Sequence, residues 1–190
     1  MKKSNLTENN FEVAHVVKTL VNNGYIERLP ENYNQELFLD KEILLNFIKS
    51  TQPEEWEKLK EQYPGNTEEI LLKRVSSEVG KRGTPDVLRN GIKDRGAKFD
   101  IAYFKPVSGL NPEHEKLYKQ NRFSIIRQLP FSQKYQKTLD VSIFLNGIPI
   151  ITSELKNHFT GQDYTDAVKQ YKFDRDPKEP FLRRCLVHFA

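Results

Sequence analysis

The fold of this chain is decided by the stretch Leu139-Asp140-Val141-Ser142-Ile143-Phe144-Leu145-Asn146-Gly147-Ile148-Pro149-Ile150-Ile151-Thr152-Ser153-Glu154-Leu155-Lys156-Asn157. Two runs rich in β-branched and aromatic residues flank the dipeptide Asn146-Gly147, which favours the tight turn of a β-hairpin. We therefore expect one strand from Leu139 to Leu145 and a second strand from Ile148 to Leu155.

Three side chains of this hairpin indicate a functional site. Asp140 lies at the start of the first strand, and Glu154 and Lys156 lie at the end of the second. Residues two apart on a strand point to the same face of a sheet, so Glu154 and Lys156 are neighbours and Leu155 faces the other way. An acid and a lysine beside an apolar strand cost free energy, which indicates that they serve a purpose.

Whether Asp140 joins Glu154 depends on the register of the hairpin. A plain two-residue turn at Asn146-Gly147 places Asp140 on the face opposite Glu154. A three-residue loop with Gly147 in the left-handed region places both acids on one face, and a bulge near Pro149 achieves the same shift. The functional interpretation therefore requires either that loop or that bulge.

Two carboxylates and a lysine on one face fit the hydrolysis of a phosphodiester bond. Carboxylate oxygens are ligands that Mg²⁺ prefers, and the ion neutralises charge and lowers the pKa of water. A lysine near the attacking water orients it or stabilises the developing charge. In the alternative interpretation, Asp140 caps a turn, and Glu154 and Lys156 form an exposed pair on an edge strand. The motif is short and often arises by chance, so spacing alone does not separate the two.

The rest of the chain predicts an α/β fold with a mixed central sheet flanked by helices and an N-terminal helical region. Helical spacing and terminal signals predict helices at 11–23, 40–48, 51–59, from Thr67 onwards, and at 84–90, 111–121 and 163–174. We expect Thr51 to cap the third of these in a capping box with Glu54. Further strands are predicted at 99–104, 123–128 and 185–190.

Composition limits the class of protein. The 190 residues are 37% hydrophobic and 29% charged, the profile of a globular chain long enough for one domain with a real core. No stretch approaches the roughly 18 apolar residues of a membrane span, and the first residues do not resemble a secretion signal. The single cysteine, Cys185, excludes an intramolecular disulfide and suits a reducing cytoplasm. A net charge of +4 permits a nucleic-acid partner without requiring one.

The stretch 139–157 closely resembles the PD-(D/E)xK nuclease core of the restriction (R, or motor) subunit of type I restriction enzymes. The similarity spans essentially the whole chain and includes Phe11-Glu12, Gly24-Tyr25, Asn121-x-Phe123 ahead of a strand ending in Gln128, and Ala167-x-x-Gln170-Tyr171. Two positions depart from the family pattern. Leu139 stands where the family has proline, and Gln170 is followed at the fourth position by Asp174 instead of tyrosine. Which residue replaces that tyrosine is left open.

The resemblance implies a metal-dependent DNA endonuclease domain. Its metal ligands would be Asp140 and Glu154, and Lys156 would assist the attacking water. It also implies supporting residues on two helices. Glu12 would reach the metal or its waters, Gln170 would take part in catalysis by holding the scissile phosphate or a water, and DNA phosphates would be contacted by Lys169, Lys172 and Arg175. For each of these, a solvated surface residue is the alternative.

By the same resemblance, 1–190 is a single nuclease domain, with a mainly helical insertion at 30–95 and the nuclease core at 97–190. The abrupt end at Ala190 predicts a longer protein with a helicase-like, ATP-using motor downstream. Expected partners are double-stranded DNA and the specificity and methyltransferase subunits of a cytoplasmic restriction complex, with no membrane. Mg²⁺ is the expected cofactor, and ATP would bind outside this chain. Two other functions stay open: a non-catalytic module that binds DNA or docks subunits, and a stand-alone resolvase or repair nuclease.

Overall fold

The structure, a computed structural model, describes residues 12–108, 110–132, 137–155, 164–176 and 178–189, and of residues 12–14 and 174 it describes the backbone alone. Its strands are β1 (Ile26–Arg28), β2 (Tyr33–Asn34), β3 (Leu39–Asp40), β4 (Ile92–Asp94), β5 (Ala97–Phe99), β6 (Phe123–Pro130), β7 (Thr138–Leu145), β8 (Ile148–Ser153) and β9 (Val187–Phe189). Its α-helices are α1 (Lys18–Asn22), α2 (Lys41–Thr51), α3 (Pro53–Gln62), α4 (Thr67–Arg82), α5 (Thr84–Asn90), α6 (Pro112–Tyr118), α7 (Tyr164–Lys169) and α8 (Pro180–Arg184). Other helical segments are Glu12–Val17 and Gln170–Asp174, which are π-helical, and Pro30–Asn32, which is a 3₁₀ turn.

Five strands form one mixed sheet in the order β1-β6-β7-β8-β9. The central strands β6, β7 and β8 run antiparallel to one another, whereas β1 runs parallel to β6 and β9 runs parallel to β8. Helices flank this sheet, so the predicted α/β class with a mixed sheet is confirmed. Within the described ranges, no helix has the length and apolar character needed to cross a membrane.

The strand predicted at 99–104 is wrong in its bounds. The strand there is β5, and it pairs with β4 in a separate two-stranded hairpin in which Asp94 is opposite Ala97. The turn consists of Arg95 and Gly96, whose φ angles are 41° and 87°. Residues with positive φ form the tight turns that match strand twist. Beyond Phe99, Ile101 and Ala102 are buried without joining a sheet, so their apolar pattern resembles that of a strand.

The capping box predicted at Thr51 is also wrong. Thr51 ends α2, and its hydroxyl donates to the Phe47 carbonyl at 2.8 Å instead of capping the next helix. A threonine hydroxyl that is bonded to the preceding helical turn is not placed to accept from the first N–H groups of the next helix, as a capping residue does. The proline signal was correct, because Pro53 opens α3. Strand β1 and helix α8 were not predicted, since three and five residues are too few to show a period.

Asp40 begins α2 as predicted, and it also ties the hairpin tip to the helical region. Its side chain accepts from the Ile43 N–H at 3.2 Å, and its own N–H donates to the Gly147 carbonyl at 2.9 Å. Gly147 has φ 83°, and a Cβ on it would lie 2.4 Å from the Asp40 carbonyl oxygen. Only glycine fits this approach, so the turn of the hairpin is fixed against the start of α2.

Buried side chains among the described residues form three clusters. The largest joins α2–α5 to β5 and β8, where Ile148 belongs to it. A second, aromatic cluster packs on β6 and β7 and includes Phe144 and Phe181. A small third cluster places Val17 of the first helical segment against Val141 of β7. Residues of the β7–β8 hairpin therefore pack in all three clusters, which holds the register of the hairpin.

Candidate active site

The β7–β8 hairpin combines a two-residue turn with a bulge. Leu145 pairs with Ile148 across the turn, but further along Ile143 pairs with Ile151. Strand β8 therefore contributes one extra residue, directly after Pro149. The bulge predicted near Pro149 is confirmed, whereas the alternative of a three-residue loop is not what the chain adopts. A bulge of this kind reverses which face each following side chain occupies.

This register brings the two predicted acids together. Beyond the bulge Val141 pairs with Ser153, and the same register continued by one residue places Asp140 directly across from Glu154. The Asp140 Oδ2 accepts from the Leu155 N–H at 2.8 Å, and Asp140 lies close enough to Glu154 to perturb its ionisation. Without the extra residue Asp140 would lie opposite Ser153, and the acids would occupy opposite faces.

Glu154 is the more buried acid of the pair, with 3% of its surface exposed. Burial and the neighbouring Asp140 charge raise the pKa of Glu154 to about 7, while Arg175 acts in the opposite direction. The Arg175 Nη2 donates to the Glu154 Oε1 in a buried ion pair. Two carboxylates beside each other in a desolvated place resist holding two negative charges unless a cation is supplied.

Gln128 is a site residue that the sequence analysis noted only as the end of a strand. It has φ 47°, which is left-handed and unusual for a residue other than glycine. Its Nε2 donates to the Asp140 Oδ1 at 3.2 Å, and its Oε1 accepts from the Thr138 hydroxyl at 2.9 Å. The same backbone conformation lets Ile126 and Leu129, three residues apart, face one core cluster. No local pattern announces a left-handed glutamine, so it becomes evident only in the folded chain.

Gln170 lies where α7 changes to π-helical turns. Its Oε1 is buried and has no hydrogen-bond partner within the described ranges. Together with Lys137, Thr138 and Arg175 it lines a cleft of about 290 Å³. A buried amide oxygen without a partner is uncommon in a folded protein and suits a water or ligand that donates to it.

Tyr171 also lies on the active-site side of the sheet. Its hydroxyl is 2.8 Å from the Thr152 Oγ1, which is in turn 2.6 Å from the His188 Nδ1. Thr152 precedes Glu154 by two residues and so shares its face. Burial raises the pKa of Tyr171, so its hydroxyl stays neutral and acts through hydrogen bonds. The tyrosine adjacent to Gln170 thus supports β8 beside the acid pair.

The other predicted site residues fall into three groups. Lys156 lies outside the described residues, and Glu12 begins a helical segment of which only the backbone is described at that position. Lys169 and Lys172 are exposed on the segment that follows β8 in the chain. The Lys169 Nζ lies 3.4 Å from the Asp166 Oδ1. Arg175 was expected on the surface with the two lysines, but only 8% of it is exposed and it points at Glu154.

The acid pair is the donor set that the described residues offer to a metal. No group of three or more histidine, cysteine, aspartate or glutamate side chains gathers within metal-binding reach in the part of the chain that the structure describes. Asp140 and Glu154 would provide two oxygen ligands. That number suits Mg²⁺, which keeps several waters and is commonly held by one or two carboxylates together with a substrate phosphate.

The comparison with protein families agrees with the fold and with the resemblance of the hairpin. The model of the type I restriction enzyme R protein N terminus family (HSDR_N) matches residues 5–190. The chain belongs to this family. A search of curated proteins found no match.

Membership places the chain in a restriction system. It is the N-terminal domain of the R subunit of a type I restriction enzyme, the subunit that cleaves DNA. That subunit works in a complex with DNA. The match covers the acid pair of the β7–β8 hairpin along with nearly all of the chain.

Proposed function

We propose that this domain hydrolyses phosphodiester bonds of double-stranded DNA. A divalent cation, Mg²⁺ in the cell, would lie between Asp140 and Glu154, and Lys156 would assist the attacking water. The observation that carries this proposal is the bulge after Pro149, because it turns two separated acids into a facing pair. Membership in the R-subunit family supports the same reaction.

The residues present fit such an ion. Burial and the neighbouring Asp140 charge raise the pKa of Glu154, and a cation held by the two carboxylates would relieve their repulsion. When bound, Mg²⁺ supplies a Lewis acid for the phosphate oxygens and lowers the pKa of a coordinated water. Asp140 is presented in one orientation, because the Gln128 amide and the Leu155 N–H each donate to one of its two oxygens.

The remaining residues have distinct parts in this proposal. Lys156 is two positions beyond Glu154, so an extended chain would present it on the same face to orient the water. Gln170 would use its unpartnered Oε1 to accept a hydrogen bond from a water in the adjoining cleft. Lys169 and Lys172 would contact DNA phosphates from their exposed positions. Glu12 would reach the ion or its waters from the first helical segment.

The proposal is tested in the assembled enzyme, with specificity and methyltransferase subunits, Mg²⁺ and ATP. Alanine at Asp140, Glu154 or Lys156 should reduce DNA cleavage on the order of a hundredfold or more, because charge stabilisation at the phosphate is lost. ATP hydrolysis and subunit assembly should remain, since they depend on other parts of the enzyme.

A matched pair of acid-to-amide variants separates chemistry from folding. Glu154→Gln removes a buried acid of the site, and Glu179→Gln removes a buried acid whose carboxylate accepts from the Ser132 hydroxyl at 3.0 Å. Only the first should abolish cleavage. If the Asp140 and Glu154 variants cut DNA as the parent does, the domain is a docking or DNA-binding module and the proposed reaction is wrong.

A further inference from the structure

The guanidinium of Arg175 is buried in the active site, on a segment whose other basic residues are exposed. Arg175 is 8% exposed, whereas Lys169 and Lys172 face solvent. An arginine takes such a position only where its charge and hydrogen bonds are compensated. The contacts that compensate this buried cation therefore indicate its role beside Glu154.

The backbone of the segment explains how Arg175 arrives there. The Arg175 N–H donates to the Gln170 carbonyl at 2.9 Å, five residues back, which is the bond of a π-helix. One extra residue in the turn rotates the side chains that follow relative to an α-helix. Single π-helical turns inside α-helices occur frequently at functional sites. This turn directs Arg175 towards β8.

Contacts on several sides hold the guanidinium in one orientation. Its Nη2 donates to the Glu154 Oε1 and also to the Thr138 carbonyl at 3.0 Å. Its Cζ lies 4.9 Å from the centre of the Phe131 ring. The Nε has no hydrogen-bond partner in the described part of the chain. The cation is therefore aimed at one oxygen of one carboxylate.

We propose that Arg175 is a positioning residue that orients the Glu154 carboxylate for a divalent cation. By engaging Oε1 it leaves the other oxygen available beside Asp140. This inference rests on the proposed function. With both acids ionised, Asp140, Glu154 and Arg175 together carry one net negative charge, so a divalent cation is still attracted when Arg175 is in place. A planar guanidinium fixes the direction of a carboxylate, which a lysine ammonium does not.

Arg184 provides a matched control from the neighbouring helix α8. It is half-buried, its Cζ lies 4.4 Å from the centre of the Phe38 ring, and its Nε has no partner within the described ranges. Its donors go to the carbonyls of Pro180 at 3.0 Å and Ser76 at 3.2 Å, and not to a metal-site acid. Removing it tests the cost of losing a half-buried arginine that packs on an aromatic ring, without touching Glu154.

The test measures Mn²⁺ binding to the full chain by isothermal titration calorimetry. Arg175→Met should weaken Mn²⁺ affinity about 10- to 100-fold, the usual effect of losing a partner that orients a metal ligand. Arg184→Met should bind Mn²⁺ as the parent does. Arg175→Lys keeps the charge without the planar fork and should fall between Arg175→Met and the parent. Thermal melting of each variant verifies that it is folded.

Three results would overturn the positioning role of Arg175. Parent-like Mn²⁺ affinity in Arg175→Met, or in Arg175→Lys where the methionine variant does not fold, overturns the positioning role. An equal loss in Arg175→Met and Arg184→Met overturns it as well, because the effect is then one of stability. If the parent chain itself binds no Mn²⁺, the metal site of the proposed function fails first and the inference fails with it.

Discussion

Two buried carboxylates of this protein each pair with an arginine, and they differ in how completely their surroundings satisfy them. Asp40 is 0% exposed. Its Oδ2 accepts from the Arg28 Nε at 2.8 Å, and its Oδ1 accepts from the Ile43 N–H at 3.2 Å. The hydrogen bond that Arg28 donates to Asp40 raises the pKa of Arg28, which stays charged. The pair joins β1 to the start of α2, and the Asp40 N–H bonds the same point to the hairpin turn.

The Glu154–Arg175 pair is also buried, but its surroundings satisfy it less completely. Burial raises the pKa of Glu154, and a second carboxylate beside it, Asp140, raises it further. The Arg175 Nε and the Gln170 Oε1 have no partners in the part of the chain that the structure describes. Burial and an arginine partner therefore do not by themselves indicate a functional acid. A like charge and unsatisfied polar atoms beside the acid do indicate a functional role, because folding alone would not favour them.

The largest expected effect comes from breaking the structural pair. Asp40→Ala should lower the free energy of unfolding by about 3–5 kcal/mol, because it leaves Arg28 without its buried partner and removes the cap of α2. Asp140→Ala should change it by less than about 1 kcal/mol, since removing one of two like charges offsets the lost hydrogen bonds. Urea unfolding of both variants provides the measurement. Equal destabilisation by the two variants would contradict a purely structural role for Asp40 and a functional one for Asp140.

The next effect is a dependence of stability on pH that belongs to the acid pair. The folded chain holds the pKa of Glu154 at about 7, above the ordinary value of 4.5. The folded state therefore keeps a proton that the unfolded state releases. This stabilisation is complete below pH 4.5 and is lost as pH rises through 7. The expected loss is on the order of 1–3 kcal/mol without metal.

Glu154→Gln isolates that contribution, because both proteins contain the same histidines. The parent should lose stability relative to Glu154→Gln as pH rises from 4.5 to 7 in the presence of a chelator. Chemical unfolding at four or five pH values across this interval measures the difference. A difference that stays constant across the interval would contradict a raised pKa for Glu154.

The smallest expected effect on stability comes from Gln128→Gly. Glycine relieves the left-handed backbone, worth about 1 kcal/mol, but loses the two exposed hydrogen bonds of the Gln128 amide, which together contribute about the same. Melting should therefore change little, while cleavage by the assembled enzyme falls about tenfold because Asp140 loses its amide donor. Arg95→Gly relieves a similar φ, 41°, in the β4–β5 turn and should leave cleavage unaltered. Full cleavage by Gln128→Gly would show that Asp140 needs no such partner.

The hairpin and the region around residue 100 show how far local sequence reaches. Asn146-Gly147 and its flanking apolar runs predicted β7, β8 and their turn, because turn chemistry and strand period are properties of neighbouring residues. The run beginning at Phe99 has a similar composition, but most of it joins no sheet. Strand propensity describes a side chain that fits a half-buried surface, and only tertiary packing decides whether a partner strand is there.

By itself the sequence determined the α/β class, the hairpin and the acids at its ends, since spacing along the chain encodes these features. Only the tertiary structure decided that Asp140 faces Glu154. One extra residue in β8 reverses the face on which the following side chains lie, and the free-energy cost of that bulge depends on contacts made by both strands. The same holds for Arg175, which a π-helical turn directs towards Glu154 from 21 positions along the chain. A one-residue insertion in a strand or a helix is invisible to periodicity, yet it sets which side chains meet.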